Sequence, residues 1–406
     1  MSHTSKGLGL FLVTLVFSNC NYEPLSPEQY EIYQDIQAGT YTPPDEEPPK
    51  SDEEILALTL SLPSAPFNYA NPNLPRHFQG NNEQALDNTP ANNRVSNEGA
   101  TLGRVLFYDK LLSVNNEIAC ASCHLQEHSF SDPRRLSLGF AGGETGRHSM
   151  SLANARYYEN GRFFWDERAA SLEDQVLMPI QDHIEMGMTL EDLVPKLQAQ
   201  DYYHILFEEV FGDTLVTSER ISLALSQFVR SMVSYQSKYD QGLNMTNGPG
   251  NRAFPNFSDL ENLGLQIFGD PQRGGCAGCH STPIQAGVGA QNNGLDRTST
   301  DLGLGGVTGD RGDEGKFKVP SLRNVEVTGP YMHDGRFGTL KQVVEHYNSG
   351  VQAHPNLDPR LRLPGANQPR RLNLNENEKQ ALVAFLETLT DDNFLMDEKF
   401  ANPFIR

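Results

Sequence analysis

Basic side chains, apolar side chains and tryptophan are all scarce in this chain of 406 residues. Thirty-two Lys and Arg stand against 52 Asp and Glu, a formal charge of −20. Nucleic acid and anionic membrane surfaces, both polyanions, are therefore excluded as main partners. Hydrophobic residues make up only 37%, and 35 Gly and 25 Pro interrupt the chain, so a loop-rich fold with an organiser besides apolar burial is expected. Long apolar runs are missing too. Leu8 to Phe17, after Lys6, is too short to cross a bilayer as a helix and reads as an export signal over residues 1–20. Cys20 follows in Phe17-Ser18-Asn19-Cys20, the place of a lipidated cysteine, although Asn19 is a poor match to the small residue usually found there. Export puts the chain in the periplasm or cell envelope, with Cys20 a possible lipid anchor.

Residues 21–80 open with six prolines among acidic residues and are expected to be a tether. Beyond it the chain echoes itself. Leu102-Gly103-x-x-Leu106-Phe107 precedes one cysteine pair, and Leu263-Gly264-x-x-Ile267-Phe268 precedes the other. Each pair is followed by a Gly- and Pro-bearing region and an amphipathic helix. The first helix carries Ile221, Leu225, Phe228, Val229 and Met232 on one face; the second carries Leu382, Phe385, Leu386 and Leu389, with Asn375 and Glu378 as its capping box. A tandem duplication is expected, 81–245 and 246–395, with the boundary in the polar stretch from Gln241 to Pro255 and a tail over 396–406.

What is present is chemically pointed. Cys120, Cys123 and His124 form one Cys-x-x-Cys-His motif, and Cys276, Cys279 and His280 form another. Two thioethers fix a c-type haem and the adjacent imidazole ligates its iron, so the motif serves both tasks at once. A redox dithiol does not require the His, and a single zinc would have to gather both pairs without either His. Two covalently attached haems are expected. Whether they carry electrons or perform catalysis depends on their opposite faces. His128 and His148 lie near the first motif, but hydrogen bonding is the commoner fate of a lone histidine.

The residues between the motifs are similar to those of the bacterial di-haem cytochrome c peroxidase and MauG family. The similarity rests on Ser137-Leu138-Gly139, Arg147, Ser151-Leu152-Ala153-Asn154-Ala155, Phe164-Trp165-Asp166-Glu167-Arg168-Ala169, Gln175, Pro179 and Glu185-Met186. It continues through Val319-Pro320-Ser321-Leu322-Arg323-Asn324-Val325 and Thr328-Gly329-Pro330-Tyr331-Met332-His333-Asp334-Gly335, spanning about 96–391. It implies a mainly α fold of two tandem cytochrome c-like domains, each with one covalently bound haem. The N-terminal haem would react with peroxide and the C-terminal one would transfer electrons.

By the same resemblance Trp165, the single tryptophan, corresponds to the relay between haems; as a residue alone it reads equally as a core anchor beside Phe163 and Phe164. Glu185 resembles the acid over the peroxide site and Gln175 its neighbouring amide. Where peroxidases of the family place a His that blocks this haem, Phe140 stands here, so an open face is expected, with His148 the rival closer. Where they place a Met on the second haem, Tyr347 stands, as in MauG-type enzymes, with Met332 the rival ligand. The family's calcium maps to Asn154, Thr328 and Pro330. The implied partners are hydrogen peroxide and a small donor such as a mono-haem cytochrome c or cupredoxin. The alternatives are a MauG-like oxidase acting on a partner protein's side chain and a non-enzymatic di-haem electron carrier.

Overall fold

The Leu-Gly-x-x-aliphatic-Phe echo marks the same helix crossing twice in the computed structural model, which describes residues 26–40, 50–246, 253–281 and 283–405. The helix Asn97–Tyr108 starts where Ser96 Oγ accepts the Gly99 N–H, and it buries Leu102, Val105, Leu106 and Phe107. It crosses the helix Ser218–Ser231, whose buried face holds Ile221, Leu225, Phe228 and Val229, with Met232 buried just beyond. Gly103 stands at the crossing: a Cβ there would lie 2.0 Å from the Ala224 carbonyl oxygen and 2.8 Å from Phe228 Cβ.

In the second half the helix Asp259–Gly269, with a Ser258/Glu261 capping box, crosses Glu376–Glu387, with the expected Asn375/Glu378 box. Gly264 takes the equivalent place, its added Cβ 1.9 Å from the Ala381 oxygen and 2.7 Å from Phe385 Cβ. The contacted residues are four apart in both partner helices, so the echo is a repeated packing solution. Backbone cannot yield as a side-chain tip can, so Gly103→Ala or Gly264→Ala should each destabilise the fold by roughly 1–3 kcal/mol. Thermal or denaturant unfolding of the holoprotein checks this; an unchanged midpoint would contradict it.

Three expected boundaries are corrected. Residues 1–50 and 51–406 form separate compact units. In the first, the helix Pro27–Ala38, capped by Ser26 and Gln29 and ended by Gly39 at φ 68°, buries none of its residues. The tether expected over 21–80 does not extend past residue 50, because Leu60, Tyr69 and Phe78 are buried in the larger unit. Proline favours extended chain, and extended chain lies as readily on a core as in water. The segment 396–406 is no free tail. Phe400 is buried against Tyr69 and Phe228, Arg104 Nε donates to the Ala401 oxygen (2.6 Å), and Tyr108 donates its hydroxyl proton to the Phe400 oxygen (2.7 Å).

The second apolar cluster begins at Tyr239 and Leu243, on one face of the helix Lys238–Thr246, before the expected start at 246. Residues 1–20, including Cys20, lie outside the described residues. Among those described, no helix is long and apolar enough to cross a membrane. Strands are few: His280–Ser281 pairs antiparallel with Ala286–Gly287, and Ala290–Gln291 with Phe317–Lys318.

Candidate active site

Each Cys-x-x-Cys-His motif begins in a single tight turn, Cys120–Ser122 and Cys276–Gly278. His124 Nδ1 lies 2.7 Å from the Phe130 carbonyl oxygen and His280 Nδ1 3.1 Å from that of Pro320. A carbonyl can only accept, so in both rings Nδ1 carries the proton and Nε2 keeps its lone pair, the form that ligates a metal. Burial lowers both imidazole pKa values, that of His280 to about 4, which keeps the rings neutral. Burial also pushes the thiols up, Cys120 and Cys276 to about 12 and Cys123 and Cys279 to about 11. Thiols held protonated in this way are poor redox nucleophiles. All four are free, and among the described residues no three His, Cys, Asp or Glu side chains are grouped to hold a metal.

Cys123 and His124 line one cavity of about 480 Å³; Cys276, Cys279 and His280 line another of about 470 Å³. One motif thiol in the first and two in the second, an imidazole nitrogen left free and a largely apolar wall fit a covalently held macrocycle in each.

Glu185, Gln175 and Pro179 also line the first cavity. The short helix Leu172–Gln175 is capped by Ser171, and the turn that follows is set by Asp182, whose Oδ1 accepts the N–H groups of Ile184 (2.8 Å) and Glu185 (3.1 Å). The loop expected to lie over the site is flush against this turn. The Phe140 N–H donates to the Glu185 carbonyl oxygen at 3.0 Å, and a Cβ on Gly139 would fall 1.6 Å from the Ile184 oxygen. Phe140 turns its ring onto Gly187, where an added Cβ would meet it at 2.5 Å. Burial raises the Glu185 carboxyl to about 7, helped by Asp182 and opposed by Arg168.

His148, the rival closer of this face, is committed elsewhere. Its Nδ1 lies 3.1 Å from the Arg134 oxygen and its Nε2 3.3 Å from Ser131 Oγ. His128 likewise spends Nδ1 on the Val327 oxygen at 3.1 Å.

Trp165 lines both cavities, as do His148 and Lys318. The indole N–H donates to the His148 carbonyl oxygen (2.8 Å), and the Trp165 carbonyl accepts the Lys318 N–H (2.7 Å), tying the ring to the edge of the Phe317–Lys318 strand. Sequence reasoning missed Lys318 entirely. Its burial follows from the strand pairing, which has no signature in the two residues Phe317-Lys318.

The second cavity holds both candidate ligands, Tyr347 and Met332. Tyr347 is the second residue of the turn His346–Gly350 that follows the helix Leu340–Glu345, which starts on a Thr339/Gln342 capping box as expected. Burial raises its phenol pKa, opposed by a hydrogen bond from Asn293. The same Asn293 amide donates to Met332 Sδ at 3.4 Å. Of the residues that the resemblance assigns to calcium, Asn154 lines the first cavity and Thr328 and Pro330 the second. Asn154 closes on the Ser234 backbone, Oδ1 accepting its N–H at 2.7 Å and Nδ2 donating to its oxygen at 3.2 Å, so its amide fastens two loops. Thr328 and Pro330 line the other cavity, and no described contact joins them to Asn154.

Residues 97–247 match the family model of the di-haem cytochrome c peroxidases. The chain is 32% identical over 302 residues to a methylamine utilization protein MauG of Methylophilus methylotrophus, covering 74% of this chain and 84% of that protein. It is 33% identical over 297 residues to a cytochrome c551 peroxidase of Nitrosomonas europaea, covering 72% and 80%. Among solved structures, a MauG-like protein associated with microbial copper homeostasis superposes with a TM-score of 0.67 at 30% identity, covering 77% of this chain and 95% of that one.

Proposed function

Because the chain belongs to the di-haem cytochrome c peroxidase family, we propose that Glu185 and Trp165 divide the work of a di-haem peroxidase between the two cavities. The overall reaction takes hydrogen peroxide, two electrons and two protons to two waters. Cys120, Cys123 and His124 would hold one haem and Cys276, Cys279 and His280 another, and these groups would supply the redox chemistry of peroxide cleavage and electron transfer. The protein's part at the first site is proton movement. Ionised Glu185 takes a proton from peroxide and returns it to the departing oxygen as water, with Gln175 positioned beside it. The observation that carries this reading is a half-buried carboxyl, raised to about 7, on the wall of the cavity that contains His124.

Trp165 lines both cavities, which supports a role in passing electrons from the His280 side. In Trp165→Phe, peroxide should still be consumed in a single turnover, while steady turnover with a reduced mono-haem cytochrome c collapses. Stopped-flow spectra of both phases test this, and an unimpaired steady state would remove Trp165 from the route. Tyr347 is the proposed sixth ligand at His280, with Met332 beside it as the alternative.

A second reading keeps the peroxide chemistry and replaces the donor by a side chain of a partner protein, as in a MauG-type oxidase. Two features favour it: Phe140 has its ring on Gly187 and cannot ligate iron, and Tyr347 stands where a thioether is expected. A search for a partner protein oxidised on peroxide addition separates the two. Export to the periplasm, with or without lipid at Cys20, completes the proposal.

A further inference from the structure

Tyr158 and Glu167 form a buried pair that no step above uses. Both are about 3% exposed, and the Tyr158 hydroxyl donates to Glu167 Oε1. Tyr158 lines the cavity that contains His124 and Glu185. Glu167 holds its place against its own backbone: at φ 56° it is in the left-handed region that disfavours a side chain, within the turn closed by the Phe163↔Ala169 bridge. A buried, strained, non-glycine residue calls for a reason beyond packing, and its carboxylate is the one group it brings. Asn160 lies 3.5 Å from its second oxygen, and Arg162 Nε donates to its carbonyl at 2.8 Å, so the turn is held around the carboxylate.

The contrast with Trp165 gives the pair a meaning. The Trp165 N–H donates to a backbone carbonyl, which cannot take a proton away. An electron removed from Trp165 therefore leaves a cation that must be refilled at once, which suits transit. The Tyr158 hydroxyl faces a carboxylate, which can take its proton, leaving a neutral radical that can persist. Lys318 favours this route: its Nζ sits 3.4 Å from the centre of the Tyr158 ring, and although burial lowers its pKa to about 7, its charged form opposes any positive charge on that ring. Oxidation of Tyr158 must then move the proton with the electron.

We propose that Tyr158, with Glu167 as its proton acceptor, holds one of the two oxidising equivalents of peroxide until an external donor arrives. The step balances: one electron leaves Tyr158 for the oxidised N-terminal site, the phenolic proton passes to Glu167, and both return when the donor supplies its electron. The inference rests on the peroxide reading of the His124 site. It adds a storage site next to the exposed residues Glu159 and Asn160, where a donor can approach without passing the His280 side.

The test uses the full-length protein with both haems, mixed with one equivalent of hydrogen peroxide without donor and frozen for electron paramagnetic resonance. A tyrosyl signal is expected, with splittings that collapse when the tyrosines are deuterated. Tyr158→Phe should abolish it. Glu167→Gln should abolish it as well, because the amide oxygen still accepts the hydroxyl but cannot take its proton. Resting haem spectra and melting midpoints of Glu167→Gln should stay near wild type, which a merely structural role would not reconcile with loss of the signal. A nitroso spin trap should leave its adduct on Tyr158 in the tryptic peptide 157–162. If peroxide alters the haem spectra but no tyrosyl signal forms, or the signal survives in Tyr158→Phe, the inference alone is overturned. Haem spectra unmoved by peroxide would overturn the site reading and the inference together.

Discussion

Glu185→Gln is expected to slow the reaction with peroxide by about 10²–10⁴-fold, the range that a positioned general base contributes, while both haem spectra stay nearly intact. The substitution keeps the shape of the side chain and its link through the main chain to Phe140 and Asp182, and removes only the ability to carry a proton. The pH dependence gives an independent check. Only ionised Glu185 can accept a proton, and burial has raised its pKa to about 7. The wild-type rate should therefore climb as pH rises through about 7 and level off above, whereas the variant should be flat over the same window. Stability runs the opposite way. A carboxyl whose folded pKa lies above its unfolded value binds its proton more tightly when folded. Its contribution is present below the unfolded pKa and declines between about 4.5 and 7 as pH rises. Glu185→Gln should flatten that part of the stability profile. Rapid mixing and denaturant unfolding across pH 5–9 measure both, and a wild-type peroxide rate that falls through neutrality would remove Glu185 from the mechanism.

Tyr347→Phe is expected to change the ligation at the second site outright. The ring lies on the cavity wall just after a capped helix, so Phe keeps the shape of the wall and deletes only the oxygen that faces Asn293. Burial holds the phenol protonated in the protein alone, and only a strong Lewis acid would draw a phenolate from it. If Tyr347 is the ligand, its low-spin signature should disappear in the variant. If Met332 is the ligand, the spectrum should be unaltered. Asn293 reaches both candidates, so Asn293→Ala should perturb the spectrum in either case, without deciding between them.

The residues proposed to bear haem were legible because covalent attachment requires a fixed spacing in the chain, and the repeated helix crossing was legible because backbone in contact admits only glycine at Gly103 and Gly264. The helix faces and caps followed from periodicity and from Ser, Thr and Asn placed before the first turn. What escaped was whatever depends on chain returning from a distance. Phe400 fills the first core from the far end of the sequence, and Leu60, Tyr69 and Phe78 lie in a segment whose prolines and acids resemble a tether. The closure of Asn154 on the Ser234 backbone escaped as well, because the two residues stand 80 positions apart in the chain. Lys318 and the Tyr158–Glu167 pair escaped because burial of a charge depends on its surroundings in space and leaves no mark in sequence spacing.

The central claim is asymmetry: an open site at His124 facing Glu185 and a closed one at His280. Electron paramagnetic resonance of the fully oxidised protein tests it most directly. One high-spin and one low-spin ferric signal are expected in equal amounts, with the high-spin signal alone lost on mixing with peroxide. Two low-spin signals, unchanged by peroxide, would contradict the account and leave an electron carrier.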